Sequence, residues 1–391
     1  MLNKENKQNM LLEITNILLI LYVYFSSRRG GDTRYVFSIL IMISSYFWIK
    51  KEKFIEIKKN KFLYISGLLY LISSTISFVN NFNSKDNLLI FLCITLYSII
   101  YFLCTLNINI QTKYQKYILP ILMLFSLGSI FRGIEDILKH LNNISWYRIS
   151  GGTYTTVYAM EIGIYLLFGI FSIIIWKKWY FKLVGIIYFL LNILLLIGTK
   201  SRNTMIMFPV TILILITVYN KKKGIVIFFL SLILGIGIIK NSQHIPFLNR
   251  LSTISSVSKV KENARYLIYK KGIEIGNENR LLGVGLNKYK KEGFTTNSTT
   301  RFQHFHNVFI ETYVSQGIFV LCSYIFFIIM LIKSFYNKLN IKKEYTYLGM
   351  GIIIFTFLYG MAESIVYFTK IYPYVFLVLS FISFIKEEDI K

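Results

Sequence analysis

RFQHFHNVFIETYVSQGI, residues Arg301 to Ile318, stands where a long polar segment gives way to a long apolar run. It brings His304, His306 and Asn307 to that border. Leucine-rich sequence alone says only that a segment prefers lipid, whereas ionisable groups at its edge are costly to keep there and mark a site. GTKSRN, Gly198 to Asn203, behaves in the same way, interrupting two apolar runs with Lys200 and Arg202. The expectation is that both stretches face one side of a membrane and form one site with an arginine of the segment between them.

Composition sets the class. A chain of 391 residues with 54% hydrophobic and 17% aromatic side chains, and a mean hydropathy of +0.54, has too much apolar surface to hide in one soluble core. It reads as a single integral membrane domain over 1–391. The net charge of +25 resembles a nucleic-acid binder until the basic residues are located. They fall in short clusters between apolar runs, at Lys50 to Lys61, Trp176 to Lys182 and Lys221 to Lys223. That placement suits cytoplasmic loops beside anionic headgroups, so the lipid bilayer is the expected partner and no nucleic acid is. Cys93, Cys104 and Cys322 all lie in apolar runs. On one helix the first two would be separated by roughly 16 Å of rise, beyond disulfide reach.

Apolar runs long enough for a ~30 Å hydrocarbon layer recur at 11–25, 35–49, 62–79, 88–106, 117–131, 155–175, 181–197, 204–219, 225–239, 308–332, 347–361 and 371–385. The fold class expected is therefore an all-α polytopic membrane protein of about twelve transmembrane helices. The first run follows Lys4 and Lys7 like a signal peptide, but SSRRGG after it has no small-x-small cleavage pattern, so it reads as an anchored helix. The basic loops, with Lys333 to Lys343 among them, predict cytoplasmic termini. Residues 241–303 then form one large extracytoplasmic loop between the ninth and tenth spans, and long loops translocate whatever their charge. Arg132 to Thr153 and GTKSRN are lesser outer pieces.

Within the large loop, Glu262 to Gly276 places Ala264, Leu267, Ile268 and Ile275 at helical spacing. This predicts an amphipathic helix on the membrane face that begins near Arg265. The glycines of RLLGVGLNKY, Arg280 to Tyr289, predict a turn. No solenoid-type repeat and no low-complexity linker is visible.

The runs after Ser201 and after His306 both travel from outside to inside, so their helix N-termini point outward and favour anions. Ser201 and Asn307 are natural N-cap residues, and Lys200 and Arg202 add full charge beside the first of these ends. The planar fork of arginine suits bidentate phosphate contact, which makes a diphosphate the expected ligand, here on a lipid. Each residue also has a plainer reading. Arg202 could snorkel to headgroups, and Arg265 could be solvated or pair with Glu262. His306 could be an ordinary interfacial histidine, His304 a spacer, and Asn307 a plain cap. Glu161 and Glu363 are isolated carboxylates in or near spans, and Glu363, near the outer end, could position an arginine.

Missing patterns narrow the chemistry. No P-loop or Rossmann fingerprint is present, which removes nucleotide hydrolysis and hydride transfer. No HExxH occurs, and His304 with His306 lacks spaced carboxylate or cysteine partners for zinc. The outer segments also lack a clustered aspartate pair to hold Mg²⁺ on a diphosphate, so cationic side chains are expected to neutralise the leaving group.

GTKSRNTMI resembles the T-x-SR-G/N element of the O-antigen ligase and polymerase superfamily. NARYLIYKKGIEIGNENRLLGVG is similar to its outer-loop arginine and glycine segment, HFHNVFIETYVSQGIFVL to its His-Asn helix start, and MAESIVYFTKIYPYVF to a late span. YRISGG, Tyr147 to Gly152, resembles a family segment with an arginine, here Arg148, before the sixth span. The chain departs from the pattern at Asn203, where glycine is common, and at Phe319-Val320.

The resemblance implies a GT-C-like, metal-independent, inverting glycosyltransferase with no cofactor, in a bacterial cytoplasmic membrane with its active site on the periplasmic face. Its donor would be an undecaprenyl-diphosphate-linked glycan. By position, Arg202 and Arg265, with Lys200, would hold the diphosphate, and His306 would activate or orient the acceptor hydroxyl. Ser201, Asn307, Arg148, Glu363 and His304 would support them. Imidazole chemistry near neutrality suits a general base, and attack opposite a departing diphosphate inverts the anomeric centre. The first reading is an O-antigen ligase with a lipid A core as acceptor, in lipopolysaccharide biosynthesis. A repeat-unit polymerase shares every motif. A lipid-linked oligosaccharide flippase is the alternative of another class, although lysine and arginine keep to the ends of the runs, and a structural scaffold for glycan assembly is a third.

Overall fold

The computed structural model describes residues 60–82, 117–141, 147–220, 264–286, 288–296, 301–337 and 343–365, with isolated positions at 88, 91, 92, 222, 226, 375, 376, 378, 379 and 382. The expected spans 11–25 and 35–49 lie outside the described residues, as do all but a few positions of 88–106, 225–239 and 371–385, and so does 241–263 of the large loop. The elements in chain order are α1 (Lys61–Asn80), α2 (Ile118–Lys139), α3 (Thr155–Ile175), α4 (Trp179–Thr199), α5 (Arg202–Tyr219), α6 (Ala264–Glu278), α7 (Lys288–Glu292), β1 (Phe294–Thr295), β2 (Arg301–Phe302), α8 (Val308–Gln316), α9 (Ile318–Tyr336) and α10 (Lys343–Gly360). Six of these, α1 to α5 and α9, are long and apolar enough to cross a membrane. The protein is accordingly a polytopic helical membrane protein.

Helix α10 is apolar nearly all round, and a helix of that kind belongs inside a bundle. It packs against α3, α5 and α9, with Leu348, Ile352, Phe355 and Tyr359 fully buried. Two glycines let the neighbours close in: the Phe355 ring sits on Gly163 and the Phe335 ring on Gly349, where a Cβ would collide with either. Helix α4 shows the opposite pattern, with Ile186, Ile187, Leu190 and Leu194 exposed. Such a row is stable against lipid and costly in water.

Hydrogen bonds fix the directions. Ser73 Oγ meets Ser323 Oγ at 2.8 Å and Ser334 Oγ donates to Asn60 Oδ1 at 3.1 Å, which sets α1 antiparallel to α9. The Tyr359 hydroxyl donates to Thr156 O at 2.7 Å at one end of α10, and Tyr347 packs edge-on to Tyr219 at the other. One end of the bundle thus gathers the starts of α3, α5 and α9 with the ends of α1, α4 and α10. Lys61, Lys177, Lys178, Lys182, Lys333 and Lys343 lie at the opposite end.

Three expectations are corrected. Residues 308–332 are not one span, because the chain breaks at Gly317 (φ 87°) into α8 and α9. A Cβ at Gly317 would lie 2.1 Å from Leu281 O, so only glycine lets the 281–285 segment pass this close. Helix α8, nine residues long, rises roughly 14 Å, about half a hydrocarbon layer. It runs along the rim, from Val308 beside Gly360 to Val314 and Ser315, whose carbonyls accept from Val284 N and Gly285 N at 2.9 Å. That segment is anchored in turn on α1, since Ser77 Oγ and Asn81 Nδ2 donate to Leu282 O at 2.8 and 2.9 Å.

The second correction is that α2 continues beyond 131 to Lys139, so the supposed outer piece 132–153 begins as helix. The third concerns α6, whose apolar face is covered by protein. Ile268 and Ile275 pack with Phe294, Phe305 and Val314 in a small second core. Its floor is the pair β1 and β2, antiparallel with Phe294 opposite Phe302, the one departure from an all-α fold among the described residues. Phe294 stacks on Phe305 with ring centroids 4.4 Å apart.

Candidate functional site

The site end of the bundle is organised by the end of α10 and the segment 361–365 that leaves it. Glu363 in this segment is buried, its side chain 6% exposed. Its Oε1 accepts from Arg265 Nη2 at 3.1 Å and its Oε2 lies 3.2 Å from His306 Nδ1. A carboxylate that already takes an arginine only accepts hydrogen bonds, so Nδ1 is the donor in this contact. The imidazole, 37% exposed, is therefore oriented through Nδ1.

Backbone contacts hold the same arrangement. Asn307 Oδ1 accepts from Phe309 N and Ile310 N at 2.9 and 3.2 Å, capping α8, while its Nδ2 donates to Met361 O at 2.9 Å. The Tyr269 hydroxyl on α6 donates to His306 O at 3.1 Å and lies 3.4 Å from Met361 O. Burial raises the Tyr269 pKa, with Glu363 adding to the rise and Arg265 opposing it, so this hydroxyl stays a donor.

GTKSRN is fastened to the end of α10 from the other side. Asn203 Nδ2 donates to Tyr359 O at 3.1 Å, four residues before Glu363. Arg148 Nε donates to Thr199 O at 3.1 Å, and Ile149 N to Gly198 O at 3.1 Å, which brings the Tyr147 to Gly152 loop onto the stretch as well. Lys200 closes α4 in a left-handed conformation (φ 52°), and His306 is likewise left-handed at φ 50°. Among the described residues these two are the only non-glycines with positive φ. Such a backbone costs on the order of 1–3 kcal/mol per residue and concentrates where a side chain must be aimed.

The structure thus brings Arg148, Lys200, Ser201 and Arg202 into one stretch, and Arg265, His306, Asn307 and Glu363 into a second cluster joined to it through 359–363. Arg202, the first residue of α5, is exposed. His304 is half-buried, two residues from the imidazole that meets Glu363. Two anion-binding expectations change. Ser201 occupies the N-cap position of α5 but makes no side-chain cap; its Oγ is buried 3.4 Å from Thr204 Oγ1. At α8 two first-turn N–H groups are already taken by Asn307, so that helix end is closed by its own cap. Arg265 pairs with Glu363 across 98 residues, and Glu262 lies outside the described residues.

Tyr269 and Glu311 were not foreseen in these positions. Glu311 is buried and its Oε2 accepts from Phe305 N and Ser364 Oγ, both at 2.8 Å. Burial pushes its carboxyl up to about 7 against the pull of those two hydrogen bonds and of His306. A carboxylate inside the apolar run VFIETYV was a visible signal, since burying one without partners is costly.

Residues 187–325 match a family model described as O-antigen ligase. No curated protein matches the chain. The matched stretch takes in α5, α6, α8 and most of α4, and with them Lys200, Ser201, Arg202, Arg265, His304, His306, Asn307 and Glu311, while Arg148 and Glu363 fall outside it. Through residues 187–325 this multi-pass membrane protein is similar to the O-antigen ligase family.

Proposed function

We propose that the protein is a glycosyltransferase that moves a glycan from an undecaprenyl-diphosphate carrier to an acceptor hydroxyl at the extracytoplasmic rim, acting as an O-antigen ligase on a lipid A core. A repeat-unit polymerase, which would use a glycan acceptor, employs the same donor chemistry. The observation that carries the reading is the contact of His306 Nδ1 with Glu363 beside the Arg265 guanidinium, in a chain similar to a family whose name implies lipid-linked glycan transfer.

In this mechanism the acceptor hydroxyl loses its proton to His306 Nε2 as its oxygen attacks the anomeric carbon. The bond from that carbon to the diphosphate oxygen breaks on the opposite side, with inversion. Undecaprenyl diphosphate departs with the electron pair. Its growing charge is met by Arg202, Lys200 and Arg265, which take the part of a divalent metal. Glu363 stabilises the imidazolium as it forms, the task a buried carboxylate performs beside a catalytic histidine elsewhere. Lysine clusters at the opposite end of the bundle support an outward-facing site and cytoplasmic termini.

The test is direct. Purified protein in detergent, given undecaprenyl-diphosphate-linked glycan and acceptor, should consume donor in the presence of EDTA. A strict Mg²⁺ requirement would overturn the metal-free mechanism, and no consumption at all would overturn the transferase. A deletion strain separates the acceptors: unattached lipid-linked polymer marks a ligase, single surface repeat units a polymerase.

A further inference from the structure

We propose that Glu311 is a positioning residue: a single buried carboxylate oxygen that locks the His306 segment to the Glu363 segment and so sets the distance across which imidazole and carboxylate meet. The proposal deepens the glycosyltransferase reading and rests on it. Phe305 N and Ser364 Oγ both donate to Glu311 Oε2 at 2.8 Å. Phe305 directly precedes His306, and Ser364 directly follows Glu363. The two groups that must meet at 3.2 Å are thus each one residue from a donor that converges on the same atom. They lie 57 residues apart in the chain, and each belongs to a short non-helical segment. Segments of that kind have no ladder of their own to hold register.

The site of the clamp is buried. Glu311 lies one turn into α8, behind the cap that Asn307 makes. Phe305 is fully buried in the second core, and Glu311 and Ser364 are almost entirely buried. Because both donors use Oε2, a proton can reside on Oε1 without disturbing either bond, so acceptance rather than charge is what the clamp requires. A side-chain amide offers the same acceptor in the same place. An alanine leaves a buried N–H and a buried hydroxyl without their partner.

The inference predicts a split between kcat and KM. Glu311→Ala should lower kcat for extracted undecaprenyl-diphosphate-linked glycan about a hundredfold, the loss expected of a misplacement near 1 Å, while KM for the donor changes less than about threefold because Arg202 and Lys200 are untouched. Glu311→Gln should recover most of that loss. Ser364→Ala should lower kcat about tenfold alone and add almost nothing in the Glu311→Ala background, since both changes remove the same bond. Rates are taken per molecule of inserted, monodisperse protein, and Ser364→Ala serves where Glu311→Ala does not fold. Full activity of Glu311→Ala, a loss in Glu311→Gln equal to that in Glu311→Ala, or a tenfold Ser364 effect that persists in the Glu311→Ala background would each overturn the clamp. His306→Ala in the same assay separates the two readings: activity surviving there sinks the transferase site, whereas loss there with normal Glu311→Ala sinks only the clamp.

Discussion

The two stretches that carry the candidate site use one device to different ends. GTKSRN and FQHFHN each put a non-glycine residue, Lys200 or His306, into the left-handed region immediately before a helix starts. After that they diverge. His306 is tied by its ring to Glu363 and by its carbonyl to Tyr269, and Asn307 closes the helix behind it. Arg202 is exposed, and Ser201 before it makes no side-chain cap. Proton transfer needs an imidazole aimed to within a fraction of an ångström, whereas a grip on a mobile diphosphate tolerates reach and rearrangement. The stretch proposed to be aimed is accordingly tied through its imidazole, whereas the stretch proposed to grip is tied through Gly198, Thr199 and Asn203 and presents an exposed Arg202.

That contrast is most severely tested at its aimed end. His306→Ala should lower transfer about a thousandfold, the middle of the range for a general base, with donor KM little changed. Arg202→Ala should lower kcat/KM about a hundredfold, on the order of 3 kcal/mol, and raise donor KM as well, because a grip acts in the ground state too. If the two variants showed the same kcat and KM pattern, the division of labour would be broken.

The braced side also predicts a pH dependence of stability. Glu311 has its carboxyl raised from 4.5 to about 7 by burial. The folded state therefore holds its proton over a window in which the unfolded chain has released it. The resulting stabilisation is complete below pH 4.5 and is lost as pH rises through 7; its ceiling is on the order of 3 kcal/mol. Thermal unfolding of the detergent-solubilised protein between pH 5 and 8 should show a falling midpoint in the wild type, and a Glu311→Gln variant should lack that component. A midpoint that rises with pH in the wild type would show that Glu311 is not buried as described.

Much of the bundle was legible in local sequence, and the reasons are specific. The block 155–175 folds as α3 with the expected ends because Glu161 is its only charged residue and it is bounded by a glycine-rich turn before it and by Trp176 and Lys177 after it. Hydropathy misjudged 308–332, since it sums side chains and does not see the backbone. The break at Gly317 depends on Leu281 O approaching from 36 positions away, and RLLGVG was legible only as a turn. The candidate site residues stood out singly as charges at the ends of apolar runs. Their joinery did not, because Asn203, Arg265 and His306 meet Tyr359 or Glu363 across 156, 98 and 57 residues, and one sequence carries no signal for such pairings. Glu363 consequently read as support for an arginine, whereas the fold makes it the common partner of an arginine and a histidine.

The smallest effect discriminates most finely, because it compares two N-cap positions within one chain. Asn307→Ala removes an acceptor from Phe309 N and Ile310 N and a donor from Met361 O; loss of a cap of this type costs about 1 kcal/mol. Asn307→Ser should restore most of it, because a hydroxyl can cap but cannot span to Met361 as well. Ser201→Ala removes no cap at all, so its cost should be limited to the hydroxyl contacts with Thr204 and Tyr359, below the cost of losing a cap. Equilibrium unfolding in mild detergent measures both. Equal losses in the two alanine variants would mean that Ser201 caps α5 after all, and the distinction between a closed helix end at His306 and an open one at Arg202 would disappear with it.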